Sequence, residues 1–358
     1  MKTELLPIVD CAGSPRQRGR AHGEALRAVI VEKTARWRDA IGEAYGIPAE
    51  TFLPRFLAAT RFGDAIERYT PDLAEEVAGI AEGSGIGSET AYALQLMDEE
   101  WWFGGSAGDG HCSSLAIAPG GARPTIVAQT MDLPCWHDGA QALLRIQDPE
   151  AGETMVFTSA GMIGLMGVSQ RGVGICVNTL WQLAVSPAGL PVAFAMRGAL
   201  NHSTVAEAVA FLRDVPHASG QNYQIGDRQG IATVECSAGA ALPLTIASGR
   251  SLHTNHPLAN EDKLSPAVSL AGSDNSRARL ESLRIDLEGV DVTRDRVKAA
   301  LAAYRSGGEV SIAAQQDAPA TEAMTVGAVV YEIGEPTSLS VCAGPPSIEA
   351  WREITLGT

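Results

Sequence analysis

The sequence predicts an α+β protein whose helices and sheets pack as mixed layers. Three observations carry this. Helix start signals follow one another through the first hundred residues, the texture switches to short strand-like runs at Cys112, and regular βαβ alternation is missing. Ser14-Pro15 places a capping hydroxyl and a pre-set φ ahead of Arg16–Ala44, and Thr70-Pro71 does the same ahead of Asp72–Ala81. Residues 47–69 read as a further helix after the Gly46-Ile47-Pro48 break, and Ser88 caps Glu89–Phe103. Four helices are thus expected before any strand.

Beyond the small-residue loop Ser106-Ala107-Gly108-Asp109-Gly110, strands are expected at Cys112–Ala118, Thr125–Thr130, Ala142–Ile146 and Met155–Ser159. Gly164–Ser169 and Gly172–Thr179 read as a hairpin. Helices follow at 192–200 and 204–214, then strands at Asn222–Gly226, Ile231–Cys236, Leu242–Ala247 and Ser251–Thr254. Helices near 275–285 and 292–304 precede two last strands, Thr325–Ile333 and Ser338–Cys342. No repeat or long low-complexity linker divides the chain, so one structural domain is expected.

Composition narrows the function. The 358 residues carry 27 Lys and Arg against 42 Asp and Glu, a formal charge of −15. An acidic chain without a basic block offers no footprint to nucleic acid or anionic lipid, so a small molecule is the expected partner. With 45% hydrophobic and 19% charged residues, it can bury a large core. The first residues lack the apolar run of a secretory signal, and the two charge-free stretches Thr154–Gln170 and Val173–Met196 are interrupted by glycine, proline and amides. The expectation is therefore a cytoplasmic protein with no membrane helix. Six cysteines are scattered without a C-x-x-C pair, which signals neither a disulfide framework nor a zinc ribbon.

Several motifs fail. There is no H-E-x-x-H, Walker loop or dinucleotide fingerprint, so neither a metal nor a cofactor is expected, and Glu235-Cys236-Ser237-Ala238-Gly239 lacks the first glycine of a nucleophile elbow. His253 and His256 have a ligand-like spacing but no acidic or cysteine partner nearby in sequence. Trp101-Trp102-Phe103 ends an apolar-periodic helix and reads as packing, with Trp102 kept as a candidate substrate contact.

What remains is Gly108-Asp109-Gly110-His111-Cys112-Ser113-Ser114, a glycine loop delivering a cysteine to the start of a strand. Together with Met131-Asp132, 20 residues later, with His253-Thr254-Asn255-His256, and with the glycine-punctuated opening Gly13 to Gly23, this order resembles the acyl-coenzyme A:6-aminopenicillanic-acid acyltransferase family. Ser273-Asp274-Asn275-Ser276-Arg277 resembles its Ser-rich element ending in Arg. That family belongs to the N-terminal nucleophile (Ntn) hydrolases, and the resemblance implies a four-layer α/β/β/α sandwich behind a helical N-terminal segment. It also implies self-cleavage between His111 and Cys112, giving an α chain of residues 1–111 and a catalytic β chain of 112–358 that stay associated.

The chemistry of those positions follows. A freed Cys112 α-amine, with a reference pKa of roughly 7.7–8.0, can act as base for its own thiol. Asp132 would orient that amine, and Asn255 would donate to the oxyanion. Arg277 and Ser237 are candidate substrate contacts. Two positions depart from the family pattern: His111 stands where Gly commonly precedes the nucleophile, and Ile312-Ala313-Ala314-Gln315-Gln316 lacks an arginine found before the penultimate strand. The expected activity is hydrolysis of a small N-acyl amide through a Cys112 thioester. Acyl transfer from a thioester or amide to an amine is the same path with another second nucleophile. The reading from a different class is an uncleaved small-molecule-binding protein with an inert Cys112.

Overall fold

The first described element is a strand, β1 (Ile8–Ala12), which corrects the expectation that only helices precede Cys112. It is short because only Val9 and Cys11 turn inward, but it pairs in parallel with a strand far along the chain. The structure, a computed structural model, describes residues 6–105, 112–149, 152–246, 248–264, 273–289, 291–315, 317–346 and 350–357. His111 and the glycine loop before it lie outside the described residues, as does the cleavage bond predicted there.

Among the described residues, seven helices lie between β1 and Cys112, where four were expected. The first, α1 (Pro15–Ala25), opens on a capping box in which Ser14 Oγ and Gln17 Oε1 each accept the other residue's backbone N–H. The helix expected to run to Ala44 breaks at Leu26, and α2 (Arg27–Tyr45) continues from there. The break follows from how α1 packs. It crosses α5 (Pro71–Ser84) glycine to glycine: a Cβ on Gly19 would stand 1.8 Å from the Glu76 carbonyl oxygen, and one on Gly79 would stand 2.1 Å from that of Arg16. Gly23 and Gly83 repeat this one turn on, so the two backbones touch and the chain must turn at Leu26 to cover the core with α2. The segment expected over 47–69 is likewise two helices, α3 (Ala49–Ala58) and α4 (Phe62–Tyr69). The one capped near Ser88 is α6 (Ser88–Ala93) followed by α7 (Met97–Gly104).

From residue 113 the strands form two sheets. They are β2 (Ser113–Ile117), β3 (Thr125–Pro134), β4 (Gln141–Asp148), β5 (Gly152–Ser159), β6 (Met166–Ser169), β7 (Gly174–Thr179), β8 (Gln221–Gly226), β9 (Ile231–Cys236), β10 (Ala241–Pro243), β11 (Arg250–His253), β12 (Ala323–Ile333), β13 (Ser338–Cys342) and β14 (Arg352–Thr355). The first sheet has the order β1-β4-β5-β6-β7-β8-β9-β10 and the second β11-β2-β3-β12-β13-β14. Their inner faces pack together, and polar links cross between them: Ser114 Oγ donates to Asn178 Oδ1 at 2.5 Å, and the Gln129 amide brackets Val177. Helices α8 (Val192–Leu200) and α9 (Val205–Asp214) cover the outside of the first sheet. Helices α10 (Ser273–Leu287) and α11 (Arg294–Leu301) cover the second. This is the four-layer α/β/β/α arrangement, and β3 and β12, buried nearly throughout, run through its centre.

The helical N-terminal part is bolted to these layers by buried polar contacts. Glu76 on α5 forms a two-pronged ion pair with Arg197 on α8, at 2.9 and 3.0 Å, and Lys33 on α2 donates to Ser159 on β5. All six cysteines are free thiols, and no helix among the described residues is long and apolar enough to cross a membrane.

Candidate active site

The strand register gathers the predicted catalytic residues at one end of the two sheets. Cys112 immediately precedes β2, Asp132 lies near the end of β3, and Asn255 follows β11, which pairs with β2 through His253 and Ser114. Thr325, at the start of β12, sits opposite Asp132 in the ladder. A register shift between Thr325 and Gly327 bends β12 beside that pair, as bulges commonly do next to sites.

The Cys112 thiol is 6% exposed and accepts the backbone N–H of Asp132 at 3.3 Å. Burial, with the Asp132 carboxylate next in weight, pushes the thiol up to about 12, so in the unbroken chain it is not a thiolate at neutral pH. Asp132 is itself buried. Its Oδ1 accepts the Thr325 hydroxyl at 2.5 Å, while Oδ2 has no hydrogen-bond partner among the described residues. Burial raises this carboxyl to about 7 against the lowering effects of Thr325 and Arg279.

Asn255 is held on every side. Its backbone N–H donates to Ser276 Oγ at 2.8 Å, Oδ1 accepts Arg279 Nη2 at 3.1 Å, and Nδ2 donates to the Thr179 carbonyl at 3.0 Å. The guanidinium fixes which end of the amide is oxygen, which leaves the second Nδ2 hydrogen as the donor that Asn255 can offer the cavity. Behind it, Glu235 clamps the loop. It meets His253 Nε2 at 2.8 Å and accepts the backbone N–H groups of Leu258, Ala259 and Asn260. The two histidines with ligand-like spacing therefore divide, His253 onto Glu235 and His256 onto Ser276. Among the described residues no cluster of three or more His, Cys, Asp or Glu could hold a metal.

Arg279 is the residue that sequence reading missed. Fully buried on α10, it donates to the Cys112 carbonyl at 2.8 Å and to Ser113 Oγ at 2.9 Å in addition to Asn255. Burial lowers it to about 10, so it stays charged at neutral pH. Arg277, the sequence candidate, is exposed. Two positions along a helix turn a side chain by about 200°, and the inward face here is Ser276, Arg279, Leu283 and Leu287. That apolar spacing was the signal that could have found Arg279. Ser237 also stands apart, tied into the β9–β10 turn by Asp262 and the Ala240 carbonyl, and Trp102 is 37% exposed while its neighbour Trp101 faces the cavity.

The cavity holds about 560 Å³ of free space, the part open to solvent included. Cys112, Asp132 and Asn255 line it together with Met97, Met131, Met162, Met196 and Leu165, and Asp98, Thr179 and Gln221 form a polar end. Gln95, Met97, Asp98 and Trp101 come from the N-terminal segment, so the site is built from both sides of residue 112. A second cavity, lined by Trp37, Tyr45, Glu100 and Trp136, shares Trp101, Asp132 and Leu133 with the first.

Residues 121–342, well over half the chain, match the family model described as acyl-coenzyme A:6-aminopenicillanic acid acyl-transferase. The chain belongs to this family. The matched stretch contains Asp132, Asn255 and Arg279 and starts after Cys112. Among characterised proteins, the acyl-coenzyme A:6-aminopenicillanic-acid-acyltransferase 40 kDa form of Emericella nidulans is 26% identical over 298 residues, covering 80% of this chain and 79% of its own. Of solved structures, penicillin V acylase from Agrobacterium tumefaciens aligns with a TM-score of 0.41 at 16% identity, over 65% of this chain and 82% of its own. The R18L variant of the conjugated bile acid hydrolase of Clostridium perfringens gives 0.46 at 11%, over 68% and 92%. Membership makes this chain an enzyme of the penicillin acyltransferase family.

Proposed function

We propose that the protein is a self-processing cysteine amidohydrolase with Cys112 as its nucleophile. The observation that carries this reading is the unpartnered Asp132 Oδ2, buried beside a thiol too basic to ionise unaided. An N–H donor placed there would satisfy the carboxylate and supply the missing base, and the α-amine of a freed Cys112 is such a group.

In the precursor, Sγ adds to the carbonyl carbon of residue 111, the peptide bond from that carbon to the Cys112 nitrogen breaks as the thiol proton passes to the nitrogen, and water hydrolyses the resulting thioester. The products are a carboxylate on the first chain and an amine on Cys112. In turnover, that amine takes the thiol proton as sulfur attacks the substrate carbonyl. Asn255 Nδ2 donates to the oxyanion, and the ammonium returns its proton to the leaving amine. Water then resolves the thioester by the same route. Arg279, bonded to the Cys112 carbonyl and to Asn255 Oδ1, holds nucleophile and oxyanion donor in register.

Hydrolysis of a small N-acyl amide fits the narrow, largely apolar cavity. Among its described lining residues there are two carboxyl groups and no Lys, Arg or His, which argues against a polyanionic donor such as a coenzyme A thioester. The N-terminal and C-terminal chains stay associated in this reading, because Asp98 and Glu76 reach across to Thr179, Gln221 and Arg197. Intact mass of the purified protein tests it. Two fragments, the second beginning at Cys112, that co-elute in gel filtration are expected; a working enzyme with an unbroken chain would refute the mechanism.

A further inference from the structure

The second cavity has walls unlike those of the first. About 630 Å³ of free space, the part open to solvent included, is bounded by the rings of Trp37, Tyr45, Trp101 and Trp136. Trp37 and Trp136 meet with centroids 6.3 Å apart at 36°, and Phe52 stacks on Tyr45 at 4.4 Å and 6°. Tyr45 also lies so close to α7 that a Cβ on Gly104 would stand 2.1 Å from its Cε1. Among these rings lies Glu100, 2% exposed, whose Oε2 accepts Trp37 Nε1 at 2.8 Å and whose Oε1 accepts the Tyr45 hydroxyl at 3.0 Å. Burial raises this carboxyl to about 7 against those two bonds. No Lys, Arg or His stands among the described lining residues, and Asp132 adds a second carboxyl. Glu100 thus has donors but lacks a counter-charge, and aromatic rings bound the space where one would sit.

From this we infer that the leaving amine of the substrate carries a quaternary ammonium group, received in the second cavity by the four rings and Glu100. The inference rests on the proposed amidohydrolase reading and names the amine side of its substrate class: amides whose nitrogen substituent ends in a trimethylammonium. The side follows from Asp132, which both cavities share. The first cavity holds the acyl carbon between Cys112 and Asn255, so a substituent on the scissile nitrogen leads past Asp132 into the second. Hydrolysis then releases a carboxylate and an amine that keeps its permanent charge. A quaternary cation answers this cavity better than a primary one. It has no N–H to place on oxygens that already accept ring donors, it is weakly hydrated and so costs less to bury, and ring faces attract it. An anionic amine would instead face two carboxyl groups. The net charge of −15 further raises the local concentration of a cationic substrate.

Three amides of one alkanoyl group test this on the purified wild-type protein, their nitrogen carrying a trimethylammonioethyl, a neohexyl or an aminoethyl group. Neohexyl has the same shape as the first, with carbon in place of the charged nitrogen. The trimethylammonioethyl amide is expected to exceed each of the others by about tenfold or more in kcat/KM, mostly through KM. Glu100→Gln should bring its ratio to the neohexyl amide within about twofold of one, and Trp101→Leu, at a half-buried ring, should cut that ratio several-fold. Choline should inhibit hydrolysis of the matching p-nitroanilide competitively, because nitroaniline enters the same cavity. Equal turnover of the trimethylammonioethyl and neohexyl amides, an aminoethyl amide serving as well, a ratio that survives either substitution, or non-competitive inhibition by choline would overturn the inference. Calorimetric titration of choline and neohexyl alcohol reads the cavity without chemistry. If no amide turns over, choline-selective binding that is lost in Glu100→Gln upholds the cavity assignment and refutes the amidohydrolase reading; equal binding of the two alcohols refutes the cavity assignment itself.

Discussion

The two walls of the cavity are built on different principles. The wall formed after residue 112 hangs its chemical groups on strand ends, where ladder partners fix the backbone on both sides: Cys112 before β2, Asp132 on β3, Thr325 opposite it on β12. The wall formed before residue 112 is Gln95 and the helix α7, whose three consecutive acids are each held from outside the helix. Thr179 and Gln221 hold Asp98, Ser219 and the Val192 N–H hold Glu99, and Trp37 and Tyr45 hold Glu100. The difference suggests a division of labour. A sheet edge holds reacting atoms to a fraction of an ångström, whereas a docked helix can change its side chains without moving that edge. Thr179 joins the two, giving its hydroxyl to Asp98 and its carbonyl to Asn255.

The comparison breaks first at Cys112. Cys112→Ala should abolish processing and lower amidase turnover by ~10⁴-fold or more, since removing a nucleophile costs about as much as removing the whole catalytic unit; release of p-nitroaniline and an intact-mass spectrum measure both. Asn255→Ala should come next, with kcat down about 10²–10³-fold and KM within a few-fold, the signature of a donor used only in the transition state. If Asn255→Ala instead raised KM and left kcat alone, the strand-end wall would be binding substrate rather than doing chemistry.

Most of the fold was legible because strand composition and helix caps are local. The mixed α+β class, the hairpin at β6 and β7 and the two helices over the first sheet follow from nearest neighbours in sequence, whereas the four-layer sandwich was implied by the family resemblance. What was missed depended on distant contacts. The break at Leu26 comes from the glycine crossing of α1 on α5, and β1 exists only because β4 offers it an edge. Of the site, Cys112, Asp132 and Asn255 could be picked from their motifs. Arg279 could not, because its partners lie 167 and 24 residues away and only the inward face of α10 separates it from Arg277. Glu235 was hidden in the same way: it is 18 residues from His253, yet the two are in contact.

A third expectation concerns how the helical wall is attached. Glu76→Ala leaves Arg197 charged and buried without its carboxylate, which should cost about 3–5 kcal/mol of stability. Urea unfolding of the uncleaved Cys112→Ala protein, with and without the second change, measures this on a single chain. In processed protein the same substitution should loosen the N-terminal fragment in gel filtration and raise KM before it lowers kcat. Equal losses in both constants would mean that the helical wall also positions the reacting atoms.

The smallest effect is the most diagnostic of the amine. In the uncleaved chain Asp132 is raised to about 7 by burial, above the ~3.9 of an unfolded aspartate, so the folded form holds a proton that the unfolded form releases. Its contribution to stability is complete below about pH 4 and is lost as pH rises through about 7, with a slope of up to ~1.4 kcal/mol per pH unit. Glu100 at about 7 and Glu99 at about 8, on the helical wall, act in the same direction. Adding Asp132→Asn to Cys112→Ala should therefore flatten the stability profile by one proton between pH 4 and 7 and leave the share of the two glutamates in place. In processed wild-type protein an ammonium against Oδ2 would keep Asp132 ionised, so the Asp132 share of the slope should already be missing before any substitution. A processed enzyme that still shows it would place the new amine somewhere other than on Asp132.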